Sequence, residues 1–96
     1  VSEDSDPTVR LTAWAYGKVQ GVGFRYWVRT TAIRLELRGS ATNLADGSVR
    51  VVAEGPESGC RKLLAALDSG GTPGRVTKVS HRWSDAQGGL SGFVER

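Results

Sequence analysis

Apolar residues alternate with polar ones from Val9 to Tyr16: Val9, Leu11, Ala13 and Ala15 fall on one face, and Arg10, Thr12, Trp14 and Tyr16 on the other. That period of two predicts a strand. Gly17 to Gly23 holds three glycines in seven residues, after which the period changes. Phe24, Val28, Ala32 and Leu35 recur at helical spacing and predict a helix that ends near Glu36 to Arg38. Ala41–Leu44 and Ser48–Glu54 flank Asp46-Gly47, a dipeptide that tolerates positive φ and marks a hairpin with Val49, Val51 and Ala53 inward. Pro56 suits a first helical turn, Glu57 complements the helix dipole, and Cys60, Leu63, Leu64 and Leu67 form the stripe of a second helix that stops at Ser69-Gly70-Gly71. Val79, His81 and Trp83 share one face of a fourth strand, and Gly92 to Val94 adds a short edge strand.

The order strand, helix, strand, strand, helix, strand predicts an α+β, ferredoxin-like split βαββαβ sandwich. Its antiparallel sheet carries two helices on one face. Residues 1–8, polar, acidic and ending in Pro7-Thr8, read as a disordered N-terminal tail, and residues 9–96 as one domain. The 96 residues leave no room for a second independent core. The fold class decides no function, because it hosts many.

Charge and residue inventory narrow the field. Thirteen basic against ten acidic residues give +3, but Glu3, Asp4 and Asp6 precede Pro7, so residues 8–96 carry +6. An anionic partner is permitted without being identified. One cysteine, Cys60, excludes an intramolecular disulfide framework and any multi-cysteine zinc site, and fits a reducing, cytoplasmic setting. No run of apolar residues approaches the ~18 of a membrane span, and no signal-peptide pattern opens the chain. With one His and no Met, imidazole and metal chemistry have few side chains to use.

The segment with the most chemistry is Gly17-Lys18-Val19-Gln20-Gly21-Val22-Gly23-Phe24-Arg25, between the first strand and the first helix. Unpaired backbone N–H groups and the positive end of the helix dipole meet there, and glycines let the chain curl so that those groups share one centre. Such a place suits an anion. A nucleoside triphosphate loop is excluded because no Gly-Lys-Ser/Thr follows, and a dinucleotide loop because Tyr26 stands where the third glycine belongs. Arg25 at the helix start can fold over a bound phosphate with two parallel charge-assisted bonds. The same residues also suit a tight turn followed by a solvated arginine, and physics alone leaves the two readings open.

This nine-residue run resembles the signature of the acylphosphatase family, small metal-independent enzymes that hydrolyse the carboxyl-phosphate bond. A second stretch, Gly39, Asn43, Gly47, Val49 and Gly55, resembles the family's other signature. Ser40, Thr42 and Glu36 depart from it, standing where an aromatic residue, a long side chain and glycine are usual. The resemblance implies that Arg25 and the backbone of Gln20, Gly21, Val22, Gly23, Phe24 and Arg25 bind the phosphoryl group. It implies that Asn43 orients the attacking water, that no metal or cofactor takes part, and that the partners are a small-molecule acyl phosphate and inorganic phosphate.

Elementary chemistry agrees that so short a list suffices. Charge spreads over the equatorial oxygens of a phosphoryl group in transfer, so positioning and electrostatic stabilisation do most of the catalysis. The leaving carboxylate has a conjugate acid of pKa roughly 4 and departs at neutral pH without a general acid. An alcohol phosphate would want an acid or a metal, so acyl phosphates are favoured over phosphomonoesters. Asp46 reads as a turn former, Cys60 as a buried hydrophobe and His81 as a satisfied structural histidine. Trp14 and Tyr16 share a face on which bases could stack, but Val49 to Glu54 lacks the aromatics that an RNA-recognition motif places on its third strand, and the basic residues are dispersed along the sequence. Nucleic acid is therefore disfavoured, and nothing demands more than a monomer. The alternative function is a non-catalytic anion- or nucleic-acid-binding module of the same fold.

Overall fold

A computed structural model describes residues 6–96. The elements are β1 (Thr8–Lys18), α1 (Phe24–Arg34), β2 (Arg38–Asn43), β3 (Val49–Pro56), α2 (Glu57–Leu67), β4 (Arg75–Asp85) and β5 (Phe93–Glu95). They form a five-stranded sheet of order β4-β1-β3-β2-β5. Leu11, Ala13 and Ala15 of β1, Ala41 of β2 and Val49, Val51 and Ala53 of β3 are all buried on one face. Against them lie Phe24, Val28 and Ala32 of α1 and Cys60, Leu63 and Leu67 of α2. Burying each of the larger side chains is worth roughly 1.5–3 kcal/mol relative to exposing it. Small alanines on the sheet let both helices approach closely, which fixes the start of α1 beside the strand ends. Among the described residues no helix is long and apolar enough to cross a membrane.

The sheet is mixed rather than wholly antiparallel. β1 pairs antiparallel with β3 and β4, and β2 with β3, whereas β5 runs parallel to β2, with Gly39 opposite Phe93 and Ala41 opposite Glu95. The reason is topological: β4 and β5 occupy opposite edges, and residues 86–92 join them across the helix-free face at the end of the sheet where Glu54 holds Gln87 and Gly88. The chain therefore enters the far edge in the direction of β2.

The first helix stops earlier than the apolar stripe suggests. Glu36 takes φ 61, Leu37 N–H donates to Ala32 O at 2.9 Å, and Glu36 N–H donates to Ile33 O at 3.0 Å. These two bonds are a Schellman reversal. It buries Leu37 and sends the chain straight into β2, so Arg38 begins a strand instead of ending a helix. A left-handed residue here is normally glycine, and a side chain costs roughly 1–2 kcal/mol. Glu36→Gly is expected to stabilise the fold by roughly 0.5–1 kcal/mol after the extra freedom of the unfolded chain is subtracted. A rise of several degrees in Tm would show this, and an unchanged or lower Tm would refute it.

The N-terminal boundary also moves. Residues 1–5 lie outside the described residues, and β1 begins at Thr8, one residue before the expected start of the domain. Asp6 Oδ1 accepts Ser58 N–H at 3.1 Å and its Oδ2 accepts the Ser58 hydroxyl at 2.7 Å, while Pro7 O accepts Glu57 N–H. Pro56, with ψ 139, ends β3 and precedes α2 rather than forming its first turn, and it offers no capping side chain. Asp6 supplies the cap from another segment, and the Ser58 bonds hold its carboxyl below the usual range.

Candidate active site

Residues 19–23 link β1 to α1 at the end of the sheet where β2 and β5 also finish. Val19 is buried and anchors the loop. Gly21 and Gly23 take φ 74 and 82, with open space where a Cβ would stand. Glycine is therefore required there for backbone conformation, not for room. Gly23 caps α1 without a side-chain bond, and only its carbonyl is engaged, by Trp27 N–H at 3.1 Å. Among the described residues, none of the amides from Gln20 to Tyr26 donates a backbone hydrogen bond within the protein. Seven consecutive donors are left for solvent or a ligand, next to the positive end of the helix dipole.

Beside these amides lies a cavity of about 90 Å³, lined by Val19, Gly21, Gly23, Phe24, Arg25, Tyr26 and Glu95. That is room for a few waters or one small tetrahedral oxyanion. Arg25 is the second residue of α1. Its Nη1 donates to Arg96 O at 2.6 Å, which uses one of five guanidinium N–H groups and fixes the side chain at the cavity wall. The same Arg96 carbonyl accepts the backbone N–H of Asn43 at 3.2 Å. Arg25 and Asn43, 18 residues apart in sequence, thus flank a single carbonyl. Asn43 is exposed at the end of β2, on the face that buries Ala41. Ser40 and Thr42 fall on the opposite face of that strand, so two of the departures from the family pattern point away from Asn43.

Three parts of this arrangement escape the sequence. The Gln20 side chain, considered there only for its backbone, donates to Leu44 O at 2.8 Å and Ser48 O at 2.9 Å. It ties the loop to the turn that follows Asn43. Gly74, at φ 72, lies so close to Lys18 O and the Val22 side chain that a Cβ would collide with both; the segment before β4 supports the loop from behind. Glu95, exposed on β5, brings a carboxylate to the rim. No local pattern signals any of these, since each depends on partners more than 20 residues away.

Other residues take plainer roles. Asp46 Oδ1 accepts both the amide and the hydroxyl of Ser48, which hold its carboxyl below the usual value and make it the turn former expected. Cys60 is fully buried, and burial, reinforced by nearby carboxylates, pushes its thiol up to about 11. A thiol so protonated is a poor nucleophile. His81 corrects an expectation: it is exposed on β4, edge-on to Trp83 at 6.1 Å, at an open cavity that it lines with Arg61, Leu64 and Ala65 of α2. Among the described residues no three His, Cys, Asp or Glu side chains group so as to hold a metal ion.

Comparison with known proteins agrees along nearly the whole chain. The acylphosphatase family profile matches residues 11–94. A curated acylphosphatase of Saccharopolyspora erythraea is 60% identical over 87 residues, 91% of this chain and 92% of its own. One from Thermobifida fusca is 58% identical over 88 residues, 92% of this chain and 97% of its own. The crystal structure of acylphosphatase from Bacillus subtilis superposes with a TM-score of 0.85 at 32% identity, covering 92% of this chain and 98% of that one. Identity at this level over more than nine-tenths of both chains, on top of the two motifs and the fold that presents them, means that the chain belongs to the acylphosphatase family.

Proposed function

We propose that this protein hydrolyses acyl phosphates to a carboxylate and inorganic phosphate. The observation that carries the reading is the row of amides from Gln20 to Tyr26 that have no backbone acceptor, on the loop whose Gly21, Gly23, Phe24 and Tyr26 line one small cavity with Arg25. In this reading the amides of Gln20, Gly21, Val22, Gly23, Phe24 and Arg25, with the Arg25 guanidinium, hold the three peripheral phosphoryl oxygens. They stabilise the charge that grows there during transfer. The Asn43 side chain, a neutral amide, places the attacking water without taking its proton, which passes to solvent or to the phosphate. The carboxylate leaves unprotonated, so no group need act as acid. Glu95 on the rim disfavours a second negative group beside the phosphate. Cys60, the chain's one thiol and a buried one, suits a cytoplasmic protein, and one chain supplies every part of the site.

Acetyl phosphate hydrolysis, followed as phosphate release in excess chelator, tests the reading. The wild-type chain is expected to turn over at an undiminished rate with chelator present. Asn43→Ala is expected to lower kcat by about 10²-fold, the scale of a misplaced reactant, while inhibition by inorganic phosphate stays near that of wild type. Loss of phosphate inhibition with kcat unchanged would assign Asn43 to binding instead. A wild-type chain that binds phosphate and releases none from acetyl phosphate would favour the non-catalytic module.

A further inference from the structure

The uncovered face of the sheet plays no part in that chemistry. Trp14 and Tyr16 lie on it, on the side of β1 away from the buried Leu11, Ala13 and Ala15. Strand register fixes their neighbours: Lys78 stands opposite Tyr16 and Arg82 opposite Thr12 on β4, Arg50 opposite Trp14 on β3, and Arg38 opposite Glu54 on β2. Basic residues that are dispersed along the sequence are thereby collected on one surface. Its one acid, Glu54, is already taken up by Arg10 and two loop amides. Among the described residues Arg38, Arg50, Lys78 and Arg82 have no carboxylate partner. All four are exposed, and Trp14 and Tyr16 lie partly buried between them.

We propose that this face docks single-stranded nucleic acid, with bases on Trp14 and Tyr16 and phosphates on Arg50, Lys78 and Arg82. Trp14 and Tyr16 are two residues apart on one strand, roughly 6.8 Å. That is about twice the stacking repeat, so the rings suit bases splayed onto the protein rather than stacked on each other. Cations sit within one strand spacing of each ring, and Lys78 Nζ already lies 5.5 Å from the Tyr16 ring centroid. A membrane surface would need apolar residues to insert, and the one large exposed apolar residue on this side is Val94, at the β5 edge. An acidic peptide would meet the cations but make no use of two adjacent aromatic faces. The third-strand aromatics of an RNA-recognition motif are missing, but here β1 supplies both rings and β3 supplies Arg50 beside them.

The test is binding of a fluorescein-labelled oligothymidylate of about 20 nucleotides, read by anisotropy at salt from about 50 mM upward. Three phosphates neutralised on a single strand predict that log K falls with log salt at a slope of about −2. The Arg50→Glu, Arg82→Glu double variant is expected to bind at least about tenfold more weakly with a shallower slope, while its acetyl phosphate hydrolysis is unchanged, which shows that it folds. Quenching of tryptophan fluorescence on binding is expected to disappear in Trp14→Phe. Absence of binding at the lowest salt would overturn the proposal. So would binding that inorganic phosphate displaces and the double variant retains, which would place the strand on the amide loop. Tighter association with phosphatidylserine vesicles than with the oligonucleotide would overturn it in favour of a membrane.

Discussion

Replacing Arg25 with alanine is expected to lower kcat/KM for acetyl phosphate by at least ~10²-fold, the scale for removing one preorganised charge stabiliser. The guanidinium is the one side-chain cation lining the loop cavity. It is already oriented there by Arg96 O, so little reorganisation is needed when charge develops on the phosphoryl oxygens. The loop amides remain in the variant, and phosphate inhibition should weaken without vanishing. Arg25→Lys should recover only part of the loss, because a point charge cannot make the two parallel bonds of a planar fork. A thermal melt separates chemistry from folding: one surface hydrogen bond to the end of β5 is lost, worth about 1 kcal/mol, so Tm should move by no more than several degrees. Near-normal turnover in Arg25→Ala would remove the assignment of this loop as the reaction centre.

Periodicity made most of the scaffold legible. The alternation of Leu11, Ala13 and Ala15 and the stripes through Val28 and Leu63 specify which faces are buried, and the structure buries those residues. The glycine loop and its arginine were readable because positive φ and a helix N-terminus are local properties. Two kinds of feature were not. Local geometry that defies its residue type is one: Glu36 occupies a glycine conformation because the Schellman bonds and the burial of Leu37 outweigh its cost. Contacts between distant segments are the other: the Gln20 brace spans 24 and 28 residues, the Asp6 cap 52, and the parallel pairing of β5 depends on where its crossing emerges. The basic face belongs with these, since only register reveals that Arg50, Lys78 and Arg82 are neighbours.

Glu54 is expected to be the most consequential polar residue for stability. It lies on the central strand β3 with a 6% exposed side chain. It accepts the Arg10 Nε–H, Gln87 N–H at 2.9 Å and Gly88 N–H at 3.1 Å. Residues 86–92 are the crossing that carries the chain from β4 at one edge to β5 at the other, so the carboxylate latches that crossing near its start. Beside it a cavity of about 260 Å³ is lined by Thr8, Arg38, Ala86 and Leu90 among others, and water there can reach part of what is left unpaired. Glu54→Ala is therefore expected to cost about 2–3 kcal/mol, below the sum of three bonds to a charged acceptor at roughly 1.5–3 kcal/mol each. For a domain of this size that is a fall in Tm of about 8–20 °C. Glu54→Gln, which keeps an acceptor oxygen but no charge, should cost less.

The pH dependence distinguishes the charge from the packing. Burial alone would push the Glu54 carboxyl up, but the two amides and Arg10 outweigh it and hold the group below its ordinary 4.5. A carboxyl depressed in the folded state binds its proton more readily when unfolded, so its contribution is complete above pH 4.5 and is lost as pH falls through the folded value. The stability gap between wild type and Glu54→Gln, measured by urea unfolding, should be constant near neutrality and narrow progressively below pH 4.5. A gap independent of pH down to the acid limit would mean that shape, not charge, holds the crossing in place.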